Sequence, residues 1–192
     1  MKIGLYFGSF NPIHTGHLII AEHVLNYADV DRVWLVISPQ NPLKPSASLL
    51  GEYDRLHLVN LAIENSSRLK AVDVEFRLPK PSYTITTLTY LTEKYPTDDF
   101  TVILGSDSFN NLPKWRNYEQ LIRDYSFLIY LRPGFPVKDI EPGINASILQ
   151  APMLDISASF IRNNIHQDKS IRFLVPDKVF DYIQMNNYYK LM

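Results

Sequence analysis

Two histidines three residues apart, His14 and His17, lie in the run LYFGSFNPIHTGH (Leu5–His17). Imidazoles donate hydrogen bonds whether neutral or charged and change charge near neutral pH. Gly8 lets the chain turn where a side chain would clash and lets a ligand approach the backbone, and Pro12 fixes the path of the loop. With Gly16 opening a helix, the free N–H groups and dipole of that helix face the end of the preceding strand, an arrangement suited to phosphate. Two imidazoles alone leave a zinc ion short of ligands, and His23 points elsewhere on the helix. Either histidine by itself also reads as an ordinary turn residue. The glycine placement and the strand-to-helix context together favour phosphate.

Four further stretches carry chemistry. In DISASFIR (Asp155–Arg162), Ser157 suits a helix N-cap and Arg162 follows on the first turns. A helix N-terminus with an arginine serves a polyphosphate tail, although a capped surface helix with a solvated arginine has the same sequence. In GSDSFNNLPKWRNY (Gly105–Tyr118), Asp107 can accept ribose hydroxyls and Trp115 offers a flat face to a ring. A helix-capping Asp and a packed Trp are their plainer readings. Arg132 in LRPG (Leu131–Gly134) ends a strand and so faces the ligand edge, though Arg-Pro-Gly is also a common turn. In PSYTITTL (Pro81–Leu88), Ser82 and Thr84 both suit a helix start that would accept a carboxylate or a second phosphate.

These side chains must be carried by elements legible in the apolar periodicity. Strands are expected at Lys2–Phe7, Arg32–Ser38, Ala71–Phe76, Phe100–Gly105 and Ser126–Leu131. Helices are expected at Gly16–Ala28, Glu52–Asn65, Thr84–Tyr95, Tyr118–Asp124, Ser157–His166 and Pro176–Asn186. The Glu52–Asn65 helix is expected to bury Tyr53, Leu56, Asn60 and Ile63 on one side, with Val59 and Ala62 beside them. Alternating βα order implies an α/β fold, a Rossmann-like doubly wound parallel sheet with ligands at its carboxyl edge. The proline-bearing loop Ser38–Gly51 lies at that edge. After Pro133 the pattern changes to a loop, a short apolar run (Ser147–Leu149) and two small helices. Residues 1–192 are therefore expected to form a single domain, a core over 1–133 with a small helical C-terminal cap over 134–192.

The totals narrow the classes. The chain has 192 residues, 46% hydrophobic and 20% charged, with a formal net charge of −1, so nothing global draws it to nucleic acid or to an anionic membrane. No apolar stretch approaches the ~20 residues that span a bilayer, and there are no cysteines for disulfides or thiolate metal sites. A cytoplasmic protein is expected.

Gly8-Ser9-Phe10-Asn11-Pro12-Ile13-His14-Thr15-Gly16-His17 resembles the nucleotidyltransferase motif Gly-x-Phe-x-Pro-x-His-x-Gly-His. Ile156-Ser157-Ala158-Ser159-Phe160-Ile161-Arg162 resembles the second phosphate motif of that superfamily. Within it, the chain is similar to the bacterial nicotinate-nucleotide adenylyltransferases. NPLKP (Asn41–Pro45), PSYTITTL, GSDSFNNLPKW, LRPG and the ending VPDKVFDYIQMNNYY (Val175–Tyr189) all fall where that family has like segments.

The resemblance implies AMP transfer from ATP, with Mg²⁺ carried on its phosphates, to nicotinate mononucleotide, giving deamido-NAD and pyrophosphate. It implies His14, His17 and Arg162 as catalytic phosphate ligands, and Gly8, Ser9, Phe10, Gly16, Gly105, Asp107, Ile156 and Ser157 as further ATP contacts. For the mononucleotide it implies Lys44, Ser82, Tyr83, Thr84, Asp107, Trp115 and Arg132, with Trp115 stacked on the pyridine ring. Asn11 stands where many relatives have Asp, and Ala158 where other branches have a hydroxyl residue. Rival readings are a related transferase acting on phosphopantetheine or nicotinamide mononucleotide, a fragment of an aminoacyl-tRNA synthetase, and a non-catalytic nucleotide sensor.

Overall fold

The computed structural model describes residues 1–40, 49–137 and 140–190. Six strands, β1 (Lys2–Gly8), β2 (Arg32–Ile37), β3 (Leu69–Val72), β4 (Asp99–Gly105), β5 (Ser126–Tyr130) and β6 (Ala146–Leu149), form one sheet in the order β3-β2-β1-β4-β5-β6. Every pairing is parallel. Ile3 and Leu5 on β1 and Val33, Leu35, Val36 and Ile37 on β2 are fully buried. That is why these runs are apolar throughout rather than alternating: both faces of a parallel sheet are covered.

The covering helices are α1 (Thr15–Tyr27), α2 (Glu52–Ile63), α3 (Thr84–Lys94), the short α4 (Ser106–Phe109), α5 (Tyr118–Asp124), α6 (Ala158–His166) and α7 (Asp177–Met185). Ile85, Leu88 and Leu91 of α3 and Leu121 of α5 pack with Leu5, Val102 and Ile129 of the sheet. On Leu35 and Ile37, Leu58 and Val59 of α2 meet Ile161 of α6 and Val179 and Ile183 of α7. Ile20, Ala21 and Val24 of α1 pack on Tyr6, Val33 and Ile103. The chain leaves β1 toward β3, then crosses back to β4 and on to β6. The resulting switch point lies between β1 and β4, where Tyr6 pairs with Ile103, and a crevice opens there at the carboxyl ends of the strands.

Four expectations shift. The apolar run near Ser147 is a sixth strand, so the C-terminal portion adds to the sheet as well as capping it. β3 covers Leu69–Val72 rather than Ala71–Phe76. It is an edge strand whose pairing ends at Val36↔Val72, after which Val74–Arg77 wind into a 3-10 turn that sends Glu75 inward. α1 begins at Thr15, one residue before Gly16, and this makes His14 its N-cap. Finally, α2 buries Arg55, Leu58, Val59 and Ile63, while Tyr53 is 69% exposed.

Arg55 is fully buried, yet no carboxylate pairs with it among the described residues. Its Nε donates to the Leu50 carbonyl (2.9 Å), Nη1 to those of Ser9 and Ser38 (2.9 Å to Ser38), and Nη2 to that of Pro39 (3.2 Å). One guanidinium thus ties the segment after β1, the segment after β2 and the lead-in to α2. Substituting Met keeps an unbranched apolar side chain but strips donors from four carbonyls, and an unsatisfied buried polar group costs about 1–3 kcal/mol. Arg55→Met is expected to lower stability to urea by on the order of 3 kcal/mol. Arg55→Lys, with a point charge in place of a planar fork, should recover only part of it.

Candidate active site

The loop from β1 to α1 is shaped by what its glycines leave room for. A Cβ on Gly8 would lie 2.8 Å from Cζ of Phe10, so Phe10 can fold back over the strand end only because residue 8 is glycine. Phe10 takes φ 44°, a strained value for a non-glycine residue, and is almost wholly buried. A Cβ on Gly16 would meet the His14 ring at 3.1–3.2 Å. The second glycine therefore makes space for an imidazole.

The two imidazoles form one unit. Their rings stack with centroids 3.6 Å apart, and the His14 backbone N–H donates to Nδ1 of His17 (3.2 Å). An Nδ1 that accepts carries no proton, so neutral His17 holds its proton on Nε2. Phe10 meets the His17 ring edge-on at 5.0 Å, with Tyr6 on another side at 6.0 Å. Burial, and secondarily the charge of Arg132, lowers His14 to about 4, so this residue is neutral at physiological pH. Its Nδ1 is buried and has no hydrogen-bond partner among the described residues. Of the first N–H groups of α1, that of Thr15 donates to the Leu174 carbonyl and that of His17 folds back on His14. Gly16, at the wall of the crevice, holds the one between them.

The far end of the chain closes on this loop. Ser157 is the N-cap of α6, its Oγ accepting from the Phe160 N–H (3.2 Å). Arg162 on the same helix donates to the Asn11 carbonyl (2.7 Å) and to Ser159 Oγ (3.3 Å). The Asn11 side-chain oxygen accepts from the Leu50 N–H (3.2 Å) and from the Tyr189 hydroxyl (3.0 Å). Asn11 thus shapes the loop, and a side-chain oxygen is what that task requires.

Across the switch point, β4 delivers Gly105 and Asp107, and β5 delivers Arg132. Arg132 Nη1 donates to Asp107 Oδ2 (2.9 Å), while Asp107 Oδ1 is buried with no partner among the described residues. Tyr6 and Tyr130, with hydroxyls 3.3 Å apart, floor the space between, and burial raises both pKa values. Beyond them the start of α3 forms a third wall. Tyr83 is the N-cap of α3, and Thr84 its first residue. Glu75, 1% exposed, accepts from Thr87 Oγ1 (2.8 Å). Burial raises its pKa against the opposing pull of the Thr87, Ser38 and Ser82 hydroxyls. Glu75 Oε2 and Ser82 Oγ are both buried, and among the described residues neither makes a well-aligned hydrogen bond, the Ser38 and Ser82 hydroxyls acting on Glu75 at longer range.

All these walls enclose a cleft of about 960 Å³. Gly8, Ser9, Phe10, His14, Gly16, His17, Gly105, Asp107, Ile156, Ser157 and Arg162 line it, as do Ser82, Tyr83, Thr84, Trp115 and Arg132. Lys44 falls outside the described residues. Sequence reasoning did not find Arg55, Glu75, the Tyr6–Tyr130 pair or Arg116. Arg55 and Glu75 look like solvated helix and turn charges until their partners are known, so no local signal marks them.

A parallel sheet in this order, with a glycine- and histidine-bearing loop and a capped second helix at its switch point, is the arrangement of an α/β nucleotidyltransferase. A family model described as cytidylyltransferase-like matches residues 5–164. Two curated relatives, each named "Probable nicotinate-nucleotide adenylyltransferase", come from Flavobacterium johnsoniae and Flavobacterium psychrophilum. They are 47% and 49% identical to the chain, and each alignment covers 99% of it and 100% of the relative. The chain belongs to the nicotinate-nucleotide adenylyltransferase family. The fold matches the Plasmodium falciparum nicotinic acid mononucleotide adenylyltransferase complexed with NaAD (TM-score 0.82, 24% identity, 100% of this chain and 98% of that one). A second structure of that protein, complexed with APC, matches with a TM-score of 0.80.

The neutral state of His14 has a measurable consequence. Its folded pKa of about 4 lies below the ordinary 6.5, so between these values the unfolded chain binds a proton that the fold refuses. Stability should therefore fall as pH drops from 6.5 toward 4 and, for this group, level off below. The loss should be on the order of 3 kcal/mol. Urea titrations across that window should show a shallower acid slope for His14→Gln.

Proposed function

We propose that this chain transfers the AMP moiety of ATP to nicotinate mononucleotide, giving deamido-NAD and pyrophosphate by direct in-line attack. The observation that carries the reading is the convergence, in one cleft at the strand switch point, of two phosphate-type stretches far apart in sequence and a helix N-terminus beside an aromatic wall. Membership of the family supports it. The packing of α6 and α7 on α2, with β6 on the shared sheet, supports reading residues 1–192 as one catalytic domain.

In this reading the ATP phosphates lie on the β1–α1 loop against His14, His17 and Gly16. Arg162 and the Ser157-capped start of α6 close over them, with Gly8, Ser9, Phe10 and Ile156 as the walls. Gly105 and Asp107 take ribose, the buried Asp107 Oδ1 being an acceptor suited to a hydroxyl. The pyridine ring stacks on Trp115, and its carboxylate meets the N–H groups at Tyr83 and Thr84 with Ser82 Oγ beside them. Lys44 and Arg132 serve the mononucleotide phosphate. Among the described residues no three His, Cys, Asp or Glu side chains converge as a metal cage. This favours Mg²⁺ entering on the phosphates of ATP, as substrate.

No protein nucleophile is required. A phosphate oxygen of the mononucleotide attacks the α-phosphorus of ATP, the bond to the bridging oxygen breaks, and pyrophosphate leaves. The residues align two polyanions that repel one another, a task worth up to about 7–11 kcal/mol when reacting groups are well placed. His17, with its proton on Nε2, donates to charge that grows on the phosphates in the transition state. Burial keeps the stacked His14 neutral, so the two rings supply donors without the repulsion of two adjacent cations.

Pyrophosphate release from MgATP should occur with nicotinate mononucleotide and be much slower with nicotinamide mononucleotide. No release with either would remove the proposal. His17→Ala should lower kcat by about 10²–10³ with a far smaller change in the KM for ATP. Undiminished turnover in that variant would remove the role of His17.

A further inference from the structure

Backbone N–H groups at the start of a helix bond a carboxylate more strongly than a carboxamide, so donors at Tyr83 and Thr84 supply part of a preference while still admitting the ring of either mononucleotide. A side-chain cation beside them would add to it. The nearest buried ionisable group in that wall is Glu75, whose sign, when ionised, works against an acidic ring. α3 has no acidic residue in its first turn and no side-chain cap. Arg132, paired with Asp107 (2.9 Å), is the residue assigned above to the phosphate rather than to the ring.

Among the described residues that line the cleft, two further cations flank Trp115 in the chain, Lys114 and Arg116. Arg116 is the one held in place: its guanidinium lies 4.7 Å from the centroid of the Tyr83 ring, over the residue that caps α3. It follows Trp115 directly in the chain, and none of the ion pairs among the described residues engages it. Stacking on an aromatic face leaves the in-plane N–H edge of a guanidinium open, the edge that bonds carboxylates.

We propose that Arg116 is a specificity-determining residue, its charge at the pyridine end of the cleft favouring a ring that bears a carboxylate over one that bears a carboxamide. The proposal rests on the reading of that end given under Proposed function. Arg116 sets the preference through binding of the ring, so its contribution appears in KM for the mononucleotide and leaves kcat and the KM for ATP in place. Because the side chain is exposed, added salt screens the contribution.

The test compares wild type, Arg116→Gln and Arg116→Lys in pyrophosphate-release assays with nicotinate and nicotinamide mononucleotides. Gln keeps a planar polar end without the charge, and Lys keeps the charge without the fork. Arg116→Gln should raise the KM for the acid about tenfold, the scale of one charge-assisted hydrogen bond. The KM for the amide should stay within about twofold, so the preference falls by the ratio of the two. Arg116→Lys should restore part of the preference, and raising the ionic strength should weaken it in wild type but not in Arg116→Gln. An equal loss for both substrates in Arg116→Gln would make the residue a mere support for Tyr83 and overturn the proposal, as would an unchanged acid-to-amide ratio. If wild type turns over neither substrate, the underlying assignment of the reaction fails and takes the proposal with it. If wild type shows the acid preference and Arg116→Gln keeps it, only the role of Arg116 fails.

Discussion

Four carbonyl oxygens from three separate segments point at one guanidinium, that of Arg55, and the floor of the cleft is built on that convergence. In a parallel sheet the loops that leave adjacent strands share no ladder of their own, and their carbonyls need partners once buried. Ser9 leaves β1, Ser38 and Pro39 leave β2, and Leu50 leads into α2. The rigid fork of an arginine reaches all of them from a single helical position, which an ammonium or an amide could not do. Burial lowers the Arg55 pKa, but a guanidinium remains a cation, and it bonds the Ser9 carbonyl of the loop that carries His14 and His17. A charge without a carboxylate partner is costly to bury. Here it is held by the carbonyl dipoles of Leu50, Ser9, Ser38 and Pro39.

The same economy of charge runs through the rest of the site. His14 is neutral because it is buried and faces Arg132. Arg132 is matched by Asp107, and Arg162 is anchored on the Asn11 carbonyl. Fixed donors that need no rearrangement are what a reaction between two polyanions requires, since ordering them at the moment of reaction would add to the barrier. The two tyrosine hydroxyls at the switch point, with pKa values raised by burial, stay protonated and add no negative charge to the floor.

Much of this was legible in the sequence because some residues announce their surroundings. The glycines of the β1–α1 loop, taken with the strand-to-helix context, favoured a phosphate loop around His14 and His17, and Ser157 read as a cap and is one. The alternation of apolar runs with helical spacing specified a parallel sheet with helices on both faces. What stayed hidden was long-range. Hydrophobic periodicity counts arginine as polar, so it set Tyr53 and Asn60 on the inner face of α2, whereas that helix buries Arg55, whose acceptors lie up to 46 residues away. Glu75 was missed for the same reason: its partner Thr87 lies on the next helix. β3 was drawn too far because an edge strand loses its pairing before its apolar character ends. The short run at Ser147 became a strand because β5 offered it an open edge, something no local pattern reveals.

The position of Asn11 shows how far apart in sequence the parts of one site can lie. Its side-chain oxygen accepts from Leu50 and from Tyr189, while its carbonyl accepts from Arg162. Residues near the start, middle and end of the chain therefore meet at one amide. A carboxylate there would accept the same two side-chain bonds but add a negative charge. Arg55 and Arg162 lie close enough to Tyr189 to pull its pKa down against the larger upward push of burial, so either guanidinium would offset such a charge. Asp and Asn are thus both compatible with the geometry, and they differ in how much positive field is left for the ligand. With Asn11 the side-chain bonds that shape the loop, from Leu50 and Tyr189, are made without adding a negative charge. Those bonds join residues 11, 50, 162 and 189, so the shape of the β1–α1 loop depends on contacts from both ends of the chain.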